Sequence, residues 1–424
     1  MSVPEFVVGA LDQESWNEWA ERYQVKGVSI YELEAYDPAS KISDPQYLAL
    51  RALWKVGRAS EFQPDKWGIQ GVEAATEKLG KLKHWKSFLE AISLETNLDE
   101  MLPIQGDLGA FTLIWYYGQL IRWAPSAADT EENANFTPWS ERLRERKKDS
   151  SSKIFSEQTH THPYATHLAE YLKIYGDPEK QRKGTCGLPS SSESQFYQSS
   201  KTACIDLDPE ACSDDSRLDP SYEERKDFPQ VSDEIIVNAY LLGLASVVTF
   251  SIEGVEAHWT PERKGYKVCD EKGIKLYEAR TDGHMYLNGN GKTKAIVEVK
   301  PVVRAELPRV MMQEVAQMAA WIHAEKDVIQ DENLTEQWLV TPAPSVFRRL
   351  LWSMNRHELY IIIAEYNGDY VDYLTNPRRE AECESFMTMN QFGPWDIRNS
   401  AQVAEFAAIL VAVTLQFSKG LPLI

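Results

Sequence analysis

The chain has 424 residues, of which 43% are hydrophobic, so it can hold two domains or one large domain with additions. Its formal net charge of −19 argues against a protein that coats nucleic acid through a basic surface. Five cysteines without Cys-x-x-Cys spacing, and an N-terminus without a basic start or cleavage site, predict an intracellular protein, cytoplasmic or nuclear. The most apolar run, residues 406–417, is too short to cross a bilayer, so no membrane partner is expected.

Residues 1–125 are predicted to form a mostly helical N-terminal domain. Asp12 is a suitable N-cap for a first helix, in which aromatic residues recur at helical spacing until Gly27. Asp44, followed by a proline, opens a second helix that continues through residues 48–56.

Two further helical patterns follow, at residues 72–95 and 108–123. The second is apolar nearly all round and rich in aromatic residues, which predicts burial among other helices. Core packing and a ligand pocket both explain these aromatic residues, and core packing is the preferred interpretation.

Residues 126–232 are predicted to be a polar, partly disordered insert rich in serine and aspartate. A basic cluster at 142–148 has two interpretations, a nuclear-localisation or nucleic-acid patch and a solvated helix face; the interspersed glutamates favour the second. His160, His162 and His167 have no recognisable metal-ligand spacing, which favours an exposed turn.

From residue 233 the pattern of a folded domain, 233–424, resumes. A helix capped by Ser232 is followed by alternating strand and helix patterns. We predict strands at 255–268 and 337–341, hairpins at 275–300 and 360–374, and helices at 233–248, 307–325 and 400–417.

The hairpin at residues 275–300 carries the strongest functional signal. Its turn contains two Asn-Gly pairs, which favour a tight hairpin. With the turn centred on Asn290, Asp282 stands opposite Glu298, and Lys300 lies two residues further along the same face. Two facing carboxylates destabilise a hairpin unless a cation lies between them, so the sequence predicts a metal site.

These residues and the order of elements resemble the PD-(D/E)XK (restriction-endonuclease-like) nuclease superfamily, in particular the nuclease-like domains of many fungal proteins. The resemblance covers residues 233–424 and implies an α/β (α+β) fold, with an αβββαβ core around a central mixed sheet. Thr281 occupies the position of the proline that gives the motif its name.

The resemblance also implies roles for individual residues. Asp282 and Glu298 would bind Mg²⁺ (or Mn²⁺), and Lys300 would orient the attacking water. Glu234 would be an accessory metal ligand, although a first-turn glutamate also complements the helix dipole. Gln313 or Gln317, with Gln313 preferred, would contact the metal-bound water or the backbone.

The function implied is a Mg²⁺-dependent nuclease that hydrolyses phosphodiester bonds of DNA or RNA. The alternative is a catalytically inactive nuclease-like fold that serves as a protein or nucleic-acid interaction module. The complete set of Asp282, Glu298 and Lys300 favours the enzyme. Four arginines could form a phosphate track, although each also suits a solvated surface: Arg304, Arg309, Arg348 and Arg349.

Overall fold

The computed structural model describes residues 12–94, 107–122, 233–289, 291–307, 309–326, 346–377 and 385–423. All of these residues belong to one compact unit. The insert predicted at 126–232, with its basic cluster and its three histidines, lies outside the described residues.

The described part of the chain contains both helices and strands, with most of the strands after residue 250. The helices are α1 (Gln13–Arg22), α2 (Asp44–Ala49), α3 (Val72–Gly80), α4 (Trp85–Ser93), α5 (Thr112–Arg122), α6 (Glu234–Phe250), α7 (Arg309–Ala324), α8 (Gly368–Thr375) and α9 (Ser400–Ser418). The strands are β1 (Ala52–Gly57), β2 (Ala257–Thr260), β3 (Gly265–Cys269), β4 (Lys275–Arg280), β5 (Gly283–Leu287), β6 (Thr293–Lys300), β7 (Phe347–Asn355), β8 (Glu358–Tyr366) and β9 (Met387–Asp396).

Seven of these strands form one mixed sheet in the order β1-β9-β8-β7-β6-β5-β2. The pairs β1/β9 and β6/β7 are parallel, and the other neighbours are antiparallel. Strands β3 and β4 form a separate antiparallel ribbon. The predicted α/β class with a central mixed sheet is therefore confirmed.

Hydrophobic clusters cover both faces of the sheet, as expected for strands that read as nearly continuous apolar runs. On β6, Ala295, Val297 and Val299 belong to the cluster that also contains α6 and α9. Ile296, one residue out of step, belongs to the opposite cluster with α7 and α8. Glu298 has the same parity as Ile296, so it faces the side of the sheet that α7 covers.

The helix predicted through residues 48–56 is wrong in its second half. Helix α2 ends at Ala49, and β1 pairs in parallel with β9 at the edge of the sheet. Between them Arg51 has φ 49°, a left-handed conformation that ends the helix. Its guanidinium lies 4.7 Å from the Trp16 ring centroid and 4.3 Å from that of Phe386. Because β1 completes the central sheet, the described N-terminal residues fold together with the C-terminal ones.

Two predictions in the C-terminal half are corrected as well. The single strand at 255–268 is two strands, β2 and β3, which belong to different sheets. The second half of the hairpin at 360–374 is helix α8, because the side chain of Asn367 caps it by accepting a hydrogen bond from the backbone N–H of Tyr370. Strands β7 and β9 were not predicted, and the predicted strand at 337–341 lies outside the described residues.

Several helices agree with prediction. Asp12 caps α1 with a capping box, although the helix ends before Gly27. Helix α6 begins one residue after Asp233, whose side chain accepts from the N–H of Ile235, so the cap is Asp233 rather than Ser232. Among the described residues, α9 has the length and apolarity to cross a membrane, and most of it is buried inside the structure.

We expect Gly283, the first residue of β5, to be required for close packing beside the candidate site. A Cβ at this position would lie 2.7 Å from the carbonyl oxygen of Thr260 and 2.7 Å from Leu242 on α6. A backbone oxygen cannot rotate away, so Gly283→Ala should lower the free energy of unfolding by about 1–3 kcal/mol. Urea unfolding measures the change. Gly80→Ala is the matched control, since a Cβ there meets nothing within 4 Å; equal losses in both variants would contradict the prediction.

Candidate metal centre

The register of the sheet brings Asp282 alongside Glu298. Gly283 pairs with Val297, and the backbone N–H of Asp282 donates to the carbonyl of Val297 over 2.9 Å. One residue further from the turn, Asp282 therefore lies opposite Glu298, as predicted from a turn centred on Asn290. The predicted hairpin itself is more complex, because β4 leaves the sheet and only β5 pairs with β6.

Three carboxylates converge at this end of the sheet. Glu234, Asp282 and Glu298 each offer an oxygen, and these three atoms all lie within 4.8 Å of one another. Glu298 is fully buried and Asp282 is 8% exposed. Glu234 comes from the first turn of α6, Asp282 directly precedes β5 and Glu298 lies on β6, so a helix, a strand and the residue before a second strand supply the group. The arrangement could bind a metal ion.

Lys300 and the two predicted glutamines surround Glu298. The Lys300 ammonium donates to Oε1 of Glu298 and, over 3.4 Å, to Oε1 of Glu234. From α7, Gln313 Nε2 donates to Glu298 Oε1 over 2.6 Å and Gln317 Nε2 donates to Glu298 Oε2 over 2.5 Å. The two glutamines are four residues apart on one helix face, which explains why both reach the same carboxylate.

Burial dominates the electrostatics of the cluster. It raises the pKa of the Glu298 carboxyl well above its ordinary value, and the nearby Lys300 ammonium opposes this rise. Burial also raises the pKa of Glu234, again against the effect of Lys300. For Lys300 itself, burial lowers the pKa, but the attraction of Glu298 and Glu234 outweighs it and the net change is upward. Lys300 therefore remains an ammonium, and the crowded carboxylates favour an additional cation.

Asp282 is held by contacts on three sides. Its Oδ2 accepts from the backbone N–H of Val299 over 3.1 Å, and its backbone carbonyl accepts from Asn238 Nδ2 over 2.9 Å. Its other carboxylate oxygen, Oδ1, lies 3.4 Å from Nη2 of Arg263. The carboxylate is thus fixed by the backbone of β6 while one oxygen is turned toward an exposed cation.

The chemistry of the donor set fits a hard divalent cation. All three ligand candidates are carboxylates, the group that Mg²⁺ and Mn²⁺ prefer. Two nearby amide oxygens, Gln317 Oε1 and Asn238 Oδ1, are buried and accept no hydrogen bond within the described structure. These unsatisfied acceptors beside crowded carboxylates are polar groups that a bound cation or its water ligands would satisfy.

A second buried polar network lies beside the cluster, and sequence reasoning missed it. Arg304 donates to both carboxylate oxygens of Glu314, to Asn355 Oδ1 over 3.0 Å and to Gln391 Oε1 over 2.8 Å. On β7, Asn355 is the register partner of Lys300. The sequence signal that could have found it is Glu314, a glutamate directly after Gln313 in the predicted helix, which the structure shows to be fully buried.

The suggested arginine track is not supported at three of its positions. Arg304 is buried in the network just described. Arg348 pairs with Glu365, 3.0 Å apart, and Arg349 is buried with its guanidinium 4.4 Å from the Trp321 ring centroid. Arg309 is exposed at the first residue of α7.

Comparison of the chain with protein-family models, with curated proteins and with solved structures gives no match. The functional interpretation therefore depends on the geometry and chemistry of the residues themselves.

We expect Gln317 to matter more than Gln313 for stability in EDTA. Gln317 is fully buried and donates to both Glu298 and the carbonyl of Arg280, whereas Gln313 donates to Glu298 alone and is 9% exposed. Gln317→Leu should lower the free energy of unfolding by about 2–3 kcal/mol, because the buried Glu298 carboxylate and the partly buried Arg280 carbonyl lose their donor. Gln313→Leu should cost less, since water can replace its bond. Urea unfolding of both variants checks the order, and a reversed order would contradict the assignment.

Proposed function

We propose that the protein is a Mg²⁺-dependent nuclease that hydrolyses phosphodiester bonds of DNA or RNA. The observation that carries this proposal is the convergence of three carboxylates within 4.8 Å, beside a lysine whose side chain is only 14% exposed, at one end of a central sheet. Folding alone does not require this arrangement, because apolar residues would fill the same space without burying charge.

We also propose that the chain belongs to the PD-(D/E)XK superfamily, and the arrangement of strands around the site supports this assignment. Strands β2, β5, β6 and β7 are neighbours, with antiparallel, antiparallel and parallel pairing. Helix α6 precedes them, and α7 lies between β6 and β7 in the chain. This is the αβββαβ order, with the β3–β4 ribbon inserted between its first two strands.

In the proposed reaction Asp282 and Glu298 would hold Mg²⁺ or Mn²⁺, with Glu234 as a third oxygen ligand. A bound divalent ion polarises a phosphoryl oxygen and lowers the pKa of a bound water. Lys300, kept as an ammonium by its neighbours, would donate hydrogen bonds to the attacking water and stabilise the developing negative charge. Gln313 and Gln317 act through Glu298, since their amides fix the position of its carboxylate.

The proposed substrate is nucleic acid, with the choice between DNA and RNA left open, and the proposed location is inside the cell, in the cytoplasm or nucleus. From residue 233 onward the sequence has 26 acidic and 19 basic residues, so the net charge of this part of the chain is negative. Positive charge at the site must come from the metal and from a few local side chains.

One observation favours the second candidate, a non-catalytic interaction module. The two oxygens of Glu298 together accept hydrogen bonds from Lys300, Gln313 and Gln317. A carboxylate satisfied by three donors does not itself require a metal ion. Metal binding and cleavage therefore separate the two candidates.

The first test is cleavage. With Mg²⁺ or Mn²⁺ the purified chain should cut single- or double-stranded DNA or RNA, and Lys300→Ala should lower the rate by about 10²–10⁴-fold. Lys275→Ala is the matched control, since the side chain of Lys275 is 54% exposed and pairs with Glu278 outside the cluster. Equal rates for the wild type and Lys300→Ala would identify the activity as a contaminant.

The second test is metal-linked stability. Mg²⁺ should stabilise the wild type by about 2.7 kcal/mol at a hundredfold excess over its dissociation constant. Asp282→Asn should be as stable as the wild type in EDTA, or slightly more so, because repulsion among the carboxylates falls. The variant should lose most of the Mg²⁺ gain, because one anionic oxygen ligand is absent.

Thermal melts in EDTA and in Mg²⁺ at matched ionic strength measure these changes. Glu278→Gln serves as the control, since Glu278 pairs with Arg280 and Lys275 outside the cluster and its loss should leave the Mg²⁺ gain intact. A wild-type melting temperature that does not respond to Mg²⁺ or Mn²⁺ would favour the interaction module.

A further inference from the structure

The loop at residues 261–264, which joins β2 to β3, is fixed beside the carboxylate cluster on both of its flanks. At one end the His284 ring shares a hydrogen bond of 3.0 Å with the carbonyl of Glu262. At the other end the Lys264 N–H donates to the Thr281 hydroxyl over 3.2 Å, and the Thr281 N–H donates to the Lys264 carbonyl over 3.1 Å. Thr281 directly precedes Asp282 in the chain and His284 follows it by two residues. These contacts therefore fix the position of the loop backbone relative to the site.

Arg263 lies in the loop between these two sets of contacts, and its guanidinium lies on the solvent-exposed side of the carboxylate cluster. Its side chain is 67% exposed, and Nη2 lies 3.4 Å from Asp282 Oδ1. Lys300, by contrast, has a side chain that is only 14% exposed. The neighbouring Lys264 is directed elsewhere, toward the Thr293 hydroxyl at 2.7 Å and Glu325 at 3.4 Å.

We propose that Arg263 binds a non-bridging oxygen of the substrate phosphodiester. This inference depends on the proposed nuclease function and adds a substrate-binding residue outside the sequence motif. The planar guanidinium has several donors in a fixed arrangement that matches phosphate oxygens. It is exposed enough to meet a large substrate, whereas its backbone is fixed relative to the metal ligands.

The charges of the site explain when this contact forms. Without metal, Lys300 and Arg263 do not neutralise the three carboxylates, and Arg263 lies against Asp282. A divalent ion bound to Asp282 competes with the guanidinium for that carboxylate and makes the whole site positive. Arg263 is then available to a phosphodiester anion, so metal and substrate should bind with positive coupling.

A purely structural role makes different predictions. In both roles its removal should strengthen metal binding, because a cation that competes for Asp282 is lost. If Arg263 only neutralises Asp282, nucleic-acid affinity and its salt dependence should stay unchanged. The salt dependence is the distinguishing measurement, since each phosphate contact that is lost lowers the slope of log K against log salt by about 0.9 for duplex DNA or about 0.7 for single strands.

The experiment measures binding of fluorescein-labelled single- and double-stranded oligonucleotides by anisotropy in Mg²⁺, over a series of salt concentrations. All variants carry Lys300→Ala, so that the probe is not cut. Adding Arg263→Ala should raise the dissociation constant of the oligonucleotide roughly tenfold. It should also lower the slope of log K against log salt by the amount expected for about one lost phosphate contact. Arg263→Lys should keep the slope and recover part of the affinity, because it retains the charge but not the planar donors.

Arg280→Ala is the matched control. Arg280 lies two residues before Asp282 and its side chain is 72% exposed, but its guanidinium pairs with Glu278. It should change the oligonucleotide affinity less than twofold. Thermal melts of each variant exclude loss of fold as the cause.

The outcomes separate this inference from the proposed function. Cleavage by the otherwise wild-type chain, together with equal oligonucleotide affinities and slopes for the Arg263→Ala and Arg280→Ala variants, would overturn the role of Arg263 and leave the nuclease intact. Tighter Mg²⁺ binding in Arg263→Ala with an unchanged slope would assign it as a counter-ion only. Failure of the wild-type chain to bind or cut any oligonucleotide in Mg²⁺ or Mn²⁺ would overturn both proposals.

Discussion

The buried carboxylate of Glu298 is the constraint on which this end of the structure depends. Removing a carboxylate from water costs several kcal/mol unless a paired charge and hydrogen bonds replace the lost hydration. Lys300 supplies the charge, and Gln313 and Gln317 supply the bonds, which requires α7 to cross β6 at this point. A Leu or Val would fill the same space without these requirements, which is why the proposed function gives Glu298 a chemical role.

The second buried network fixes the geometry that Glu298 needs. Arg304 binds Glu314, which follows Gln313 on α7, and also binds Asn355, the partner of Lys300 on β7. Burial raises the pKa of Glu314 and the Arg304 guanidinium opposes that rise, so this pair also depends on its own hydrogen bonds. Arg304 therefore links α7 to β7 on the same sheet face that carries the candidate site. This link limits how far Gln313 and Gln317 can move from Glu298.

The parts that were predictable from sequence are those set by local periodicity. The turn centred on Asn290 predicted that Asp282 faces Glu298, the two-residue repeat of a strand placed Lys300 on the same face as Glu298, and the helical repeat placed Gln313 and Gln317 together. Strand β1 was not predictable in this way, because its strand character comes from pairing with β9 across more than 300 residues of chain. Strand β9 resembles a loop in sequence, since buried Asn390 and Gln391 and a Gly-Pro pair interrupt its apolar pattern. Arg263 was missed because only the loop contacts to Thr281 and His284 bring it to the site.

The net charge of −19 and a nucleic-acid substrate are compatible if the attraction is local. At physiological ionic strength, exposed charges more than about 8 Å apart are largely screened, so distant acidic residues contribute little at the site. In the proposed nuclease, the phosphodiester would contact the divalent ion, Lys300 and Arg263. A site of this kind has few phosphate contacts, and few contacts mean weak binding between catalytic events and a shallow salt dependence. Such an enzyme would select its substrate through the chemistry at the metal ion rather than through tight binding of nucleic acid. The lack of an arginine track among the described residues agrees with this.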